Sequence, residues 1–313
     1  MTATPIEEEF MLVELKELPI LEVIWSNRRK VTVVRQPVSS PQRYVSELIT
    51  KKLEDKSFGN LHFFVNSVKV ISNILKRTNI NSVDVKVVCA DNPYNDRKLG
   101  AYKIKKPSDK ACKINFYTST CFEGCDIFDK EGKTYVVSEG RNPNTLYDIS
   151  TLFIQIIGRI RDSKYGNEVY HIHSSSSYAG DVSYDEFKGI ADREYRVSAS
   201  CINEYNSEPV HLKKMRVEKW SKEHFENRFI YVNEEYTFEL DRNLLNKSLL
   251  DYKLKSEVYN KSTYLIQSYK ENGLNVRSSE YIKYSDKLKA NTSTKGNFKE
   301  AIEEYYLLAT SQN

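Results

Sequence analysis

Gln155-Ile156-Ile157-Gly158-Arg159-Ile160-Arg161 sets two arginines beside a glycine, in the apolar run that begins near Leu146. On its periodicity the segment reads as a buried helix. Guanidinium groups are expensive to hide without an anionic partner, so the pattern points to a place where arginines meet phosphate. Taken alone, the pair is equally well explained by ion pairs to Asp148 or Asp162 at a helix end.

Two upstream segments have the same logic. Phe64-Val65-Asn66-Ser67 and Tyr117-Thr118-Ser119-Thr120 each follow a short apolar run. In α/β sheets, ligands sit beyond the carboxyl ends of such strands. Thr118 to Asp126 reads Thr-Ser-Thr-Cys-Phe-Glu-Gly-Cys-Asp. Its hydroxyls and free N–H groups suit phosphate oxygens, and Gly124 lets a backbone approach closely. Asp126 is placed to hold a ribose hydroxyl or to orient an arginine. Asn66 and Ser67 also read as a helix N-cap, and Gln155 alone reads equally as a solvent-facing residue.

The elements that would position these residues alternate along the first half. Met11–Trp25 reads as extended and broken at Pro19, and Val31–Val38 as a strand. Ser40-Pro41 opens a helix with Tyr44, Leu48 and Ile49 on one face. Leu61–Val65 reads as a parallel strand buried on both faces, and Val68, Ile71, Ile74 and Leu75 form the next helical stripe. Strands are expected at Val83–Cys89, Lys113–Tyr117, Thr134–Val137 and Glu168–Ile172. Alternation with short connections implies a parallel α/β sheet with flanking helices. After the serine run Ser174–Ser177 the chain becomes polar and helical, with helices expected at Tyr184–Tyr205, His211–Phe225, Leu244–Lys270 and Phe298–Leu308. One hairpin pairs Phe229–Val232 with Tyr236–Leu240, and 291–297 reads as a flexible polar stretch. Domains of 1–175 and 176–313 follow.

The ordered segments resemble the second RecA-like motor domain of the superfamily 2 helicases. Thr2-Ala3-Thr4-Pro5 resembles motif III, which couples nucleotide state to strand movement through Thr2 and Thr4. Phe63–Ser67 resembles motif IV, Thr118–Asp126 motif V, and Gln155-x-x-Gly158-Arg159-x-Arg161 motif VI. Each motif is weak alone; four in order over residues 1–173 are specific. The resemblance implies that Arg161 and Arg159 act on the γ-phosphate of ATP, with Arg161 favoured as the finger and Arg159 for positioning. It places Gly124, Asp126, Gln155 and Gly158 near the nucleotide, and Thr118, Ser119, Asn66 and Ser67 on nucleic acid. DNA is favoured over RNA, since the motif V and VI types lean toward helicases of phage or mobile-element replication. The one-residue spacing between Arg159 and Arg161 departs from the usual motif VI.

A complete motor also needs a phosphate-cradling GxxxxGK[ST] loop and an Asp-Glu pair that holds Mg²⁺. Gly132-Lys133-Thr134 does not supply the first, because Ile127 stands at the first glycine position. Asp185-Glu186 falls after motif VI inside a polar helix. The chain therefore carries the arginine half of an ATPase site. ATP and Mg²⁺ would be held mainly by an N-terminal RecA-like domain of the same protein, and this chain alone is expected to be inactive. The abrupt start on motif III fits a piece of a longer protein. The readings weighed against this one are a duplex translocase that does not unwind and a non-catalytic nucleic-acid-binding module with the motor fold.

The 313 residues hold 47 basic and 43 acidic side chains, a net charge of +4 that permits nucleic-acid binding without arguing for it. A mean hydropathy of −0.59 and the lack of a long apolar run point to a soluble, cytoplasmic protein without a membrane partner. Five cysteines without a CxxC pair read as reduced thiols. His171 and His173 alternate on a strand without carboxylate or cysteine partners, so no metal site is assigned. Thirteen of the 22 tyrosines lie beyond residue 180, interleaved with lysines. Such a surface can stack bases, but helix packing with snorkelling lysines explains it as well.

Overall fold

The computed structural model describes residues 7–11, 13–19, 30–55, 59–176, 182–223 and 229–284. The chain divides into two units, 1–282 and 283–313, and the elements below belong to the first. The strands are β1 (Thr32–Pro37), β2 (Asn60–Phe64), β3 (Val85–Val88), β4 (Ile114–Tyr117), β5 (Ile127–Phe128), β6 (Gly132–Ser138), β7 (Ile160–Arg161), β8 (Glu168–His173), β9 (Ile230–Val232), β10 (Phe238–Leu240) and β11 (Asn275–Ser278). Seven of them form one sheet in the order β11-β1-β8-β6-β2-β4-β3. Every pairing in it is parallel. The expected α/β parallel sheet with flanking helices is therefore present.

The central strand shows why. Leu61, Phe63 and Phe64 are wholly buried, because a strand covered by helices on both faces has no polar side to offer. Ser67 starts the next helix, α2 (Val68–Thr78), and its Oγ accepts from the Val70 N–H at 3.4 Å. Val70, Ile71, Ile74 and Leu75 are its buried stripe, and Asn79 ends it in the left-handed region at φ 44°. Burying such side chains contributes about 1.5–3 kcal/mol each. The preceding helix, α1 (Pro41–Glu54), has Pro41 in its first turn as expected, but the Ser40 hydroxyl makes no capping bond.

Four expectations need correction. The segment expected to be extended from Met11 to Trp25 instead forms a helical turn at Val13–Lys16, just after a 3₁₀ turn at Glu8–Phe10. Tertiary contact overrides the alternation there: Phe10 is buried with Ala191, Phe229, Leu245 and Leu249. The ends of this turn are held by Glu9 to Lys188 and Glu7 to Lys253, both at 2.8 Å. Residues 12 and 20–25 of the same expectation lie outside the described residues, as do 291–297 and the helix at 298–308.

The second correction concerns Leu244–Lys270, which is not one helix. It is a helix at Arg242–Lys253, a π-helical turn at Leu254–Val258, and a separate helix (Ser262–Glu271) after a break at Tyr259–Lys261. The break follows from Tyr259, whose buried hydroxyl donates to the Tyr147 carbonyl at 3.0 Å. Third, β11 was not expected. It is a short, polar edge strand with an exposed pattern, and its residues give no period-2 signal. Fourth, the arginines do not lie on a helix, as set out below.

Beyond residue 175, residues 254–278 contribute to the same sheet and core. Leu254, Tyr259, Leu265, Tyr269 and Leu274 pack in one cluster with Phe64, Val136, Phe153 and Val169. The expected hairpin is present as the antiparallel pair β9 and β10. Its turn is set by the Asn233 side chain, which accepts from Glu235 N and Thr237 N. The long polar helix is present at Tyr184–Ser207, opened by a capping box between Ser183 and Glu186. Several of the late tyrosines are packing residues: Tyr252 stacks on Phe187 at 3.8 Å, and Tyr269 is wholly buried. No described helix is long and apolar enough to cross a membrane.

Candidate functional site

The apolar run from Leu146 is held by Asp148. Its carboxylate accepts from Thr151 N at 3.1 Å and from the hydroxyls of Ser150 and Thr151. It thus caps a π-helical turn, Ile149–Phe153, that continues as a one-turn α-helix, Ile154–Ile157. Asp148 is spent as a cap and does not pair with the arginines. The helix stops at Gly158, and Ile160-Arg161 leaves it as β7. The arginines therefore sit on an extended loop, and the reading of a buried arginine helix is corrected. A glycine in the chain and the parallel partner β5 together outweigh the helical periodicity.

That partner is the segment after Gly124. Strand β5 pairs in parallel with β7, Ile127 opposite Ile160 and Phe128 opposite Arg161. Ile127 N donates to the Arg159 carbonyl at 2.9 Å. The sequence-expected residues Gly124, Asp126, Gln155, Gly158, Arg159 and Arg161 are thereby joined in one structure. Gly124 turns the loop at φ 68°, where a side chain is strained. Arg159 donates from Nε to the Gln155 carbonyl at 2.9 Å and from Nη1 to the Cys125 carbonyl at 3.0 Å. Arg161 donates from Nε to Asp126 Oδ1 at 2.8 Å, with both side chains about half exposed, 45% and 49%. Phe128, beside Arg161 across the pair, is 70% exposed, a feature that sequence reasoning missed because a lone aromatic gives no pattern.

The two strand-end loops meet as well. Asn66 follows β2, and its Oδ1 accepts from the Ser119 N–H at 3.1 Å. Asn66 N donates to the Tyr147 hydroxyl at 2.8 Å, which donates in turn to the Phe64 carbonyl. Thr118 N donates to the carbonyl of Val88 at the end of β3. The Thr118 hydroxyl is buried and engaged with Val88 and Thr120, so it does not face solvent. Ser119 is exposed and Ser67 is partly so. Tyr147, wholly buried, is the post behind both loops.

A further chain of contacts ties the arginine loop to the sheet. His62, wholly buried on β2, lies 2.8 Å from Asp129 Oδ2 through Nε2 and 3.1 Å from the Tyr117 hydroxyl through Nδ1. Asn60 Nδ2 donates to the same Asp129 oxygen at 3.0 Å, and Asp129 N donates to the Arg161 carbonyl. Burial opposes the Asp129 charge, but the bonds from His62 and Asn60 outweigh it and hold its pKa below the ordinary value. Burial also lowers the His62 pKa, despite Asp129. A Cβ on Gly132 would stand 2.9 Å from Ile160 and 3.0 Å from His62 Nε2. Glycine at 132 is thus a close-packing residue, and Gly132-Lys133-Thr134 opens β6 instead of cradling phosphate.

Cys121 and Cys125 neighbour this loop. Burial, and then Cys125, pushes the Cys121 thiol up to about 12, which leaves it unreactive at neutral pH. Among the described residues no group of three or more His, Cys, Asp or Glu side chains is placed to hold a metal ion. Thr2 and Thr4 lie outside the described residues. In comparisons with known proteins, no family model matches the chain and no curated protein matches it.

Proposed function

We propose that this chain is the second motor domain of an ATP-dependent nucleic-acid helicase or translocase of the superfamily 2 type, followed by a helical accessory part. The observation that carries the reading is the parallel pairing of Ile127-Phe128 with Ile160-Arg161. It joins the Gly124-x-Asp126 turn to the Gln155–Arg161 loop and leaves Arg161 at the surface. The residues present fit an anionic ligand there. Arg161 is held by a single half-exposed carboxylate, and such a pair contributes about 1 kcal/mol or less, so exchange for phosphate is inexpensive. Asp126, once released, is an acceptor for a ribose hydroxyl.

The two arginines have different work. Arg159 has its donors on two backbone carbonyls and positions the loop. Arg161 reaches across the cleft to the terminal phosphate of ATP and stabilises charge that develops there. Mg²⁺ and the phosphate cradle belong to an N-terminal RecA-like domain of the same protein. Ser119 and Ser67, backed by Asn66 and Thr118, face a strand backbone at the neighbouring strand ends, DNA in preference to RNA. Opening and closing of the cleft would then move the strand.

Steady-state ATP hydrolysis by the 313-residue chain, measured with single-stranded DNA, tests this division of labour. Background turnover is expected. Turnover that Arg161→Ala abolishes would overturn the reading of half a site.

A further inference from the structure

The loop between β3 and β4 has no part in the proposed motor chemistry. It follows a short helix, Pro93–Leu99, and closes over a buried cation. Lys86, on β3, is wholly buried, and its Nζ donates to the carbonyl of Pro107 at 2.8 Å and to that of Asp109. A buried ammonium is costly without such acceptors, so Lys86 fixes the course of the chain from 105 to 112. The start of that segment runs along the edge of the sheet. Ile104 bridges Val87 in parallel, and Lys105 N donates to the Val87 carbonyl at 2.8 Å.

Each end of the segment carries a nucleophilic side chain, and each end is anchored. Lys105 Nζ donates to the Val85 carbonyl at 2.8 Å. Cys112 is clamped by Asn115, wholly buried on β4. Cys112 N donates to Asn115 Oδ1 at 2.8 Å, and Asn115 Nδ2 donates to the Cys112 carbonyl at 2.7 Å. The two anchored ends meet with Lys105 Nζ 3.6 Å from Cys112 Sγ. Among the described residues no carboxylate pairs with Lys105, so the sulfur stands where an acidic partner would ordinarily be. Cys112 is a free thiol, and both residues are partly exposed, which leaves them open to a small oxidant.

We propose that Lys105 and Cys112 are a modification site, where oxidation joins Nζ to Sγ in a reversible covalent bridge that closes the loop over Lys86. The oxidant is a small hydroperoxide. Its O–O bond breaks, an S–O bond forms at Cys112, and water or an alcohol leaves, which gives the sulfenic acid. The neutral amine of Lys105 then attacks the sulfur, as a protein nitrogen does when a sulfenamide forms. An N–S bond forms, the S–O bond breaks, and the departing hydroxide takes the amine proton and leaves as water. Sulfur loses two electrons, the peroxide gains two, and the chain is lighter by two hydrogens. Two groups already fixed in contact react without a further entropy cost. A thiol reductant cleaves the N–S bond and restores both side chains.

The test is peptide mass spectrometry of the full chain after hydrogen peroxide at mildly alkaline pH, digested with and without prior dithiothreitol. Wild type is expected to yield a Lys105 peptide joined to a Cys112 peptide, two hydrogens lighter than the sum of the two and absent after dithiothreitol. Cys112→Ser should lose the joined peptide. Lys105→Arg keeps the positive charge and should lose it too; the sulfenic acid then persists, and dimedone should label Cys112 more in this variant than in wild type. Absence of the joined peptide from wild type overturns the proposal, and that result stands even where a variant does not fold. Equal dimedone labelling of Cys112 in wild type and Lys105→Arg also overturns it. So does a bridge from Cys112 to Lys106 or Lys110, or a disulfide at Cys112, in place of the bridge to Lys105.

Discussion

Arg161 and Asp126 are 35 residues apart in sequence, yet Nε of one donates to Oδ1 of the other at 2.8 Å. That contact closes the gap between a strand-end turn and the loop that follows a short helix. Neither side chain is buried, so the pair is a latch rather than a foundation. Asp126→Asn should change the unfolding free energy by less than about 1 kcal/mol, measured by urea denaturation. A loss of several kcal/mol would mean that the pair holds the fold.

Arg159 has the opposite character. Its guanidinium bridges the carbonyls of Gln155 and Cys125, and a lysine cannot reproduce that fork. Arg159→Lys is expected to destabilise by about 1.5–3 kcal/mol, the range for bonds to a charged group. The Ile127 amide, which donates to the Arg159 carbonyl, should exchange its hydrogen faster in the variant. Unchanged exchange at Ile127 would show that β5 and β7 pair without help from Arg159.

Acid should destabilise the sheet through its histidines. Burial, with the nearby Arg35 charge, lowers the His173 pKa to about 3. His171 is lowered well below its ordinary value by burial first, then by His173 and Arg35. A histidine with a depressed folded pKa takes up its proton only when unfolded, so stability is intact above about pH 6.5 and falls as pH drops below it. For His173 the loss at pH 5 is about 2 kcal/mol, from about 1.4 kcal/mol per pH unit. Urea denaturation at pH 7 and pH 5 should show this fall, and His173→Asn should reduce it. Equal losses in the two proteins would contradict the assignment.

Much of the sheet was legible from residue pattern because buried parallel strands are short apolar runs and their helices carry stripes. Leu61–Phe64 and the Val70–Leu75 face show it directly. What was not legible depended on contacts distant in sequence. Strand β11 pairs with β1 across more than two hundred residues and is polar at the sheet edge. The break at Tyr259 exists to place one hydroxyl on Tyr147.

The candidate site divides in the same way. The glycine, the arginines and Asp126 were visible as a spacing, but their backbone was not. Helical periodicity through Ile156 and Ile160 hid the turn at Gly158. His62, Asp129 and Tyr147, which tie the loops to the sheet, gave no motif because each acts through a partner far away in sequence. Asp148 looked like an arginine partner and is a helix cap instead.

The most direct measurement is steady-state ATP hydrolysis, with single-stranded DNA, by the protein that the entire reading frame encodes. The frame should supply an upstream GxxxxGK[ST] loop and an Asp-Glu pair. Arg161→Ala should then lower kcat by about 10³-fold or more, the loss expected for an arginine finger, with stability nearly unchanged. A frame without the phosphate loop, or a variant that keeps wild-type kcat, would contradict the account.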